Sequence, residues 1–321
     1  MKVMSSRMEA ILCTTAVICA LAMLAVPASA ATGKPASTEQ IFGVGARADA
    51  MGDAFVALAN DPTATFWNPA GLAYLQGTDV TAVVKSIPSF TQTTNITIDN
   101  GGPFGGFDTA VRTDATSSHI SSTDAGFVSV STPIGKSKGT LAISRALAEY
   151  FDHGLSETQL FIGAAPGDPS QVLTSTQDHF RLDYNTLSYG WKPAAKWSVG
   201  FGLVQAIAEA SRVGSIATTS AGSSTPVINA VPASATDGKG YGCMVGALWN
   251  PEWNIAGELT FGGSYLTRIT LSDFQSTVFG DQRPDRLLLG ANYRQLVPGT
   301  SGNEVQWSLQ LSRNGEANAG A

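Results

Sequence analysis

Charge is scarce in this chain. Of its 321 residues only 14% are Asp, Glu, Lys or Arg, where an average soluble domain carries about 25%. With 19 basic and 25 acidic residues, a formal net charge of −6, an extended nucleic-acid surface is excluded. Cysteine is scarcer. Cys13 and Cys19 lie near the N-terminus, which leaves Cys243 alone in the remainder. One thiol builds neither an intramolecular disulfide framework nor a cysteine zinc site. The histidines are His119, His153 and His179, all in or beside segments that read as loops. Asp178 and His179 are adjacent, so on a strand they face opposite ways and Asp178 does not orient His179 as a hydrolytic triad requires. No catalytic residue and no metal site are assigned. Beyond the N-terminal leader no run of about 18 apolar residues occurs, so no transmembrane helix is expected.

What is abundant is glycine, at 34 residues, and apolar character, at 43% with a mean hydropathy of +0.07. That is too apolar and too weakly charged for a disordered chain. Residues 1–30 read as an export signal. Lys2 and Arg7 give a positive start, Ala10 to Val26 is apolar, and Pro27-Ala28-Ser29-Ala30 ends in a small-x-small cleavage site. No Cys sits at that site, so a lipid-anchored start is not indicated. Cleavage removes Lys2, Arg7 and Glu9 and leaves the remainder one unit more negative. Residues 31–40 read as a flexible polar start. An exported, Gly-rich, weakly charged chain of average hydropathy fits an outer-membrane β-barrel, in which apolar and polar residues alternate.

Two periodicities divide the mature chain. In residues 41–76 it is helical: Met51, Phe55 and Leu58 fall at i, i+4 and i+7 between Ala46 and Ala59. Asn60-Asp61-Pro62 ends that helix, and Asn68-Pro69 starts a second, with Asn as cap and Pro at the first position. From Asp79 the period is two. Trp197, Val199, Phe201, Leu203 and Ile207 take one face, opposite Ser198, Gly200, Gly202, Ala206 and Ala208. Ile255, Leu259, Phe261 and Tyr265 stand opposite Ala256, Glu258, Thr260, Gly262 and Ser264. Val305, Trp307, Leu309 and Leu311 stand opposite Gln306, Ser308, Gln310 and Ser312. Less regular strands are expected over 126–133, 139–150, 180–191, 241–249 and 286–294. In the third of these the apolar parity flips between Tyr184 and Leu187, which predicts a β-bulge. Short turns follow Pro133, Trp191 and Trp249, whereas Ser/Thr/Gly-rich residues 91–124, 152–178 and 210–238 read as long loops. Trp191, Trp197, Trp249 and Trp253 flank the short turns, where an interfacial aromatic girdle sits. In a membrane barrel the large apolar face points at lipid and the small, polar face lines the lumen.

Residues 43–73 carry the strongest local signature, GVGARADAMGDAFVALANDPTATFWNPAGLA. This resembles the N-terminal segment of the FadL-like outer-membrane proteins and of the related PorV-type proteins. In those families a "GAR…AMGGAF…A…D…A…WNPAGLA" segment precedes a barrel of fourteen strands. Asp53 stands where a Gly is usual. The resemblance implies a helical plug in the lumen of an all-β transmembrane antiparallel barrel in the outer membrane. That gives a leader over 1–30, a plug segment over 31–76 and a barrel over 77–321. Gly45, Arg47, Met51, Gly52, Asp61 and Gly71 are then structural, and Arg47, Asp53 and Asp61 are expected to form ion pairs with lumen charges. Phe55, Phe66, Trp67, Asn68 and Pro69 are the candidates for binding or gating an apolar ligand. The same residues also read as plain packing anchors. No cofactor is expected: Gly43-x-Gly45-x-x-Ala48 loosely matches a dinucleotide loop but lacks the preceding strand and the βαβ unit.

The FadL branch implies transport of long-chain fatty acids or other hydrophobic small molecules. The PorV branch implies a secretion or surface-attachment barrel that binds exported proteins through its loops. Outer-membrane lipid is an expected neighbour under both. At the C-terminal end Asn314-Gly315 signals a hairpin turn, and the six residues after it fall short of a crossing strand of ~9–11 residues. The expectation is a truncated version of a longer protein; the alternative is pairing of Val305–Leu311 with the first strand near Asp79–Val84.

Overall fold

The computed structural model describes residues 43–87, 90–99, 110–119, 122–134, 139–162, 169–220, 222–251, 253, 257–276, 279–296 and 304–314. The expected leader, the polar start, Ile255, Ala256 and the residues after Asn314 lie outside these.

Alternating sequence becomes antiparallel strand almost throughout. The strands are β1 (Asp79–Ile87), β2 (Phe90–Asp99), β3 (Ala110–His119), β4 (Ser122–Ile134), β5 (Gly139–Ile162), β6 (Pro169–Ala194), β7 (Trp197–Ser220), β8 (Val227–Trp249) and β9 (Glu258–Leu266). A two-residue pair follows, β10 (Ile269–Thr270) with β11 (Gln282–Arg283), and then β12 (Arg286–Leu296) and β13 (Glu304–Asn314). The main sheet runs β1-β4-β5-β6-β7-β8-β9-β12-β13, with β2 on β3 and β3 on the far half of β5. Among the described residues that makes an eleven-stranded sheet with nine strand positions, where the resemblance implied fourteen. Every neighbouring pair on the path is antiparallel. With nine positions β1 and β13 therefore point the same way, so a direct seam between them would be parallel. Among the described residues neither strand has a second neighbour.

The three expected loops are largely strand. β5 and β6 run on to Ile162 and from Pro169, and β7 and β8 to Ser220 and from Val227. The Ser/Thr-rich stretches lack an apolar stripe because they extend past the apolar band, yet Thr at alternate positions suits a pleated, paired surface. At about 3.3 Å per residue the 26-residue β6 spans about 85 Å. Strands β9, β12 and β13 are short, so one side of the sheet stands far taller than the other.

The expected bulge in 180–191 is absent. Phe180, Leu182, Tyr184, Thr186, Ser188 and Gly190 all point to one buried face, and the pairing of β6 with β7 runs unbroken there. The face itself changes from large apolar to small residues, because different elements pack on it. The irregularity sits instead in β5, between Leu147 and Glu149.

The outer face is apolar and open. Trp197, Val199, Phe201 and Leu203 on β7 are 40–49% exposed, and Val80, Ile143, Val245, Leu289, Trp307 and Leu309 are exposed beside them. Trp197 to Leu203 spans about 20 Å of strand. At the short-turn end Trp197 stacks on Trp249 at 5.6 Å and Trp249 on Phe261 at 5.5 Å, and Tyr293 stacks on Trp307 at 5.7 Å. The other face carries the core. Residues 43–76 form helix α1 (Ala46–Ala50), helix α2 (Ala64–Trp67) and a 3-10 helix (Pro69–Tyr74). This segment bonds to both edges of the sheet: Lys85 of β1 donates to the Gly43 carbonyl at 3.2 Å, and Gln310 of β13 accepts from Phe55 and Val56 N–H. The sheet therefore curves around it.

Candidate functional site

The first helix is shorter than its periodicity predicts. Gly52 and Asp53 both adopt positive φ, 60° and 64°, and turn the chain out of the helix. Asp53 thus holds the left-handed conformation for which Gly is favoured, and its carboxylate accepts the Gly43 N–H at 3.2 Å. Helix α2 begins before Asn68, behind Asp61, whose Oδ1 accepts Thr63 N–H at 2.9 Å and Thr63 Oγ1 at 2.5 Å. Arg47 donates to Asn60 at 2.6 Å and lies over Phe55, while Asp49 and Asp53 attract the Lys85 ammonium of β1. Arg47, Asp53 and Asp61 each close the segment on itself. Gly45, at φ 105°, caps α1, and Met51 is half-buried against the core.

Asn68 ties the segment to the wall. It is fully buried, and its amide donates to the Val56 carbonyl at 2.9 Å and the Ala247 carbonyl of β8 at 3.1 Å. Its Oδ1 caps the 3-10 helix at Ala70 N–H, the role that Asn-Pro predicts. Trp67 donates to the Val44 carbonyl at 2.8 Å and meets Phe55 and Phe66 edge-on. Pro69 and Ala70 lie directly on strand backbone. A Cβ at Gly190, Gly200 or Gly246 would come within 2.0–2.5 Å of Asn68, Pro69 or Ala70, and one at Gly262 within 2.5 Å of Ala57. One glycine from each of β6, β7, β8 and β9 thus forms the seat for the segment, the close approach that strand glycine signals. Gly71 is the tightest point, since a Cβ there would overlap the Ala59 carbonyl. Gly71→Val is expected to destabilise the fold by about 1–3 kcal/mol through overpacking, read as a lower midpoint in urea unfolding from detergent.

A second insert lies beyond it, which sequence reasoning missed. Residues 267–276 and 279–285, between β9 and β12, turn onto the same inner face. Ile269, Leu271, Phe274 and Phe279 are buried there, with Phe279 stacked on Phe180 at 4.7 Å and edge-on to Phe151 at 5.6 Å. The run Gly238-x-Gly240-x-Gly242 on β8 makes the room, since Cβ atoms would meet Phe274, Ile269 and Thr270. That period-two glycine run was the available signal.

Two arginines stand between the inserts. Arg286 donates to the Phe66 carbonyl at 2.9 Å and lies 4.6 Å from the Phe66 ring centre, while Phe66 reaches Tyr184 at 6.4 Å. Arg283, with a side chain only 3% exposed, lies 4.7 Å from the Phe180 ring centre and 3.6 Å from Glu149. Its Nη1 donates to the Gly280 and Gln282 carbonyls, Nε faces the Glu149 carboxylate, and Nη2 makes no hydrogen bond among the described residues. Leaving such donors unmet costs about 1–3 kcal/mol.

The histidine beside Asp178 has a different setting. Asp178 points inward and binds Arg212 through both oxygens, at 2.6 and 2.8 Å, and this hydrogen bonding raises the guanidinium above its usual range. His179 points outward, 3.5 Å from Asp152. Near the short turns Arg294 sits between Glu258 and Glu304, at 2.5 and 3.7 Å. Among the described residues no cluster of three metal-ligating side chains occurs.

No family model, curated protein or solved structure matches the chain.

Proposed function

We propose that the chain is an outer-membrane β-barrel that carries long-chain fatty acids or other hydrophobic small molecules past a plug formed by residues 31–76. The observation that carries this reading is the buried Arg283, whose Nη2 has no hydrogen bond among the described residues and whose guanidinium lies among Phe180, Phe274 and Phe279. An acyl chain that displaces the aromatic side chains packed there finds apolar surroundings, and the unbonded Nη2 of the guanidinium suits its carboxylate. The exposed outer face supports the membrane setting. Large apolar side chains stand open on it and aromatics cluster at the short-turn end. A wall closed around the plug is part of this reading, and it is supported by the bonds from Gly43, Phe55 and Val56 of the plug segment to the edge strands β1 and β13. A compact, heat-modifiable gel band for residues 31–321 tests closure, and its absence counts against a closed barrel.

The ligand class is tested by binding. Arg283→Gln is expected to weaken a long-chain fatty acid about tenfold or more while leaving its methyl ester unchanged, the arithmetic of one lost charge-assisted contact. Equal affinities for the acid before and after substitution reject the carboxylate site.

The tall polar wall favours a second reading, a PorV-type barrel that holds exported proteins. Val213, Val227 and Ile228 on it are 50–68% exposed. Under that reading Val227→Asp with Ile228→Asp releases exported proteins from the cell surface and leaves fatty-acid binding intact.

A further inference from the structure

The outer face holds one feature that neither transport nor the plug uses. Cross-strand pairing sets Arg145, Asn185, Gln205 and Tyr241 side by side in one row across β5 to β8. The next row toward the short turns is Ile143, Leu187, Leu203 and Cys243. All but Arg145 line a depression of about 660 Å³, bounded at one end by Thr267, where β9 leaves the sheet. The lower row belongs to the apolar band. The upper row is polar and internally bonded: Asn185 donates to Gln205 at 3.4 Å, and Gln205 donates to Tyr241 at 3.1 Å. The depression thus straddles the boundary between the band and the polar wall.

The charges around it are specific. Arg145, 57% exposed, binds Asp183 at 2.9 Å, and Asp183 also takes Arg181 at 2.8 Å, so two guanidinium groups share one carboxylate. Lys239, exposed, stands one row above Tyr241. The acids Glu209 and Asp237 lie a further row away from the apolar band. Each end of the polar row therefore has a cation nearer than any uncompensated anion.

Resting on the membrane setting proposed above, we propose that this depression is a phospholipid site on the lipid-facing side of the wall. One acyl chain lies along Ile143, Leu187, Leu203 and Cys243. The glycerol esters meet the amides of Asn185 and Gln205 and the hydroxyl of Tyr241, and the phosphate sits between Arg145 and Lys239. The row of amides borders Ile143, Leu187, Leu203 and Cys243 of the apolar band, and lipid esters at that depth add hydrogen-bond partners to it.

The test uses residues 31–321 reconstituted in vesicles of phosphatidylethanolamine and phosphatidylglycerol, extracted in mild detergent, and weighed by native mass spectrometry. The wild type is expected to retain one phospholipid. Leu203→Trp fills the depression and keeps its face apolar; Gln205→Leu removes the centre of the polar row. Each is expected to lower retention about tenfold. Leu309→Trp, on the same face of β13 and outside the depression, is expected to retain lipid as the wild type does. Unchanged retention in both test variants, or an equal loss in Leu309→Trp, overturns the site. Vesicle flotation is measured on the same samples. If the wild type does not float, the membrane setting fails and this site with it; if all variants float and retention is unaffected, the site alone fails.

Discussion

Phe201→Arg is expected to block stable insertion, whereas Thr260→Arg is expected to leave it close to wild type. Phe201 is 45% exposed on the outer face, near the middle of the band between Trp197 and Leu203, with Tyr189 and Val245 as its cross-strand neighbours. A guanidinium there has no partner in hydrocarbon, and Arg at the midplane of a barrel costs about 2–4 kcal/mol. Thr260 points the other way, opposite Asn292, whose amide oxygen accepts from Gln306 and Ser308. A charge on that side meets polar groups. The measurement is the folded fraction after refolding into vesicles, read by unheated gel mobility. A water-soluble sheet predicts the reverse order, since an exposed Phe replaced by Arg then gains solubility. Equal losses mean that the two faces are assigned wrongly.

The alternation of apolar and small residues made the faces legible, because a period of two maps directly onto opposite sides of a strand. Gly202 is buried and Leu203 exposed, Ser198 buried and Trp197 exposed, as that parity requires. Strand length was not legible. An apolar stripe reports only the part of a strand that lies in the band, and β5 to β8 continue as Ser/Thr-rich strand well past it. The turn at Gly52-Asp53 was hidden for a related reason: Met51, Phe55 and Leu58 keep helical spacing, yet two positive-φ residues break the helix between them. The Asn68-Pro69 signal succeeded because capping is a local matter, settled within three residues. Arg283 was out of reach of any local rule. Its partners come from β5, β6 and its own insert, brought together only by register.

Locking the 267–285 insert to the wall is expected to stop uptake. The insert fills the apolar space above the plug, so a ligand passing through must displace it. Ser272 N–H bonds to the Lys239 carbonyl at 2.8 Å and Gln275 N–H to Thr236 Oγ1 at 3.0 Å, and each such bond contributes about 0.5–1.5 kcal/mol net. Burial of Ile269, Phe274 and Phe279 holds it more strongly, and an acyl chain entering the same space replaces those contacts. A ligand that binds the opened state in this way shifts the equilibrium toward it. A Cβ at Gly238 would stand 2.6 Å from Phe274 Cβ, so a small outward shift reaches the ~3.5–4.5 Å of a disulfide. The variant is Gly238→Cys with Phe274→Cys in a Cys243→Ser background. Oxidised, it is expected to lose fatty-acid uptake about tenfold or more, since a covalent tie removes the opened state from the ensemble. Reduced, the same protein recovers, which separates the lock from the loss of the Phe274 ring. Uptake that is equal in the oxidised and reduced forms means that the ligand does not pass the insert, and a route through the wall must then be sought elsewhere.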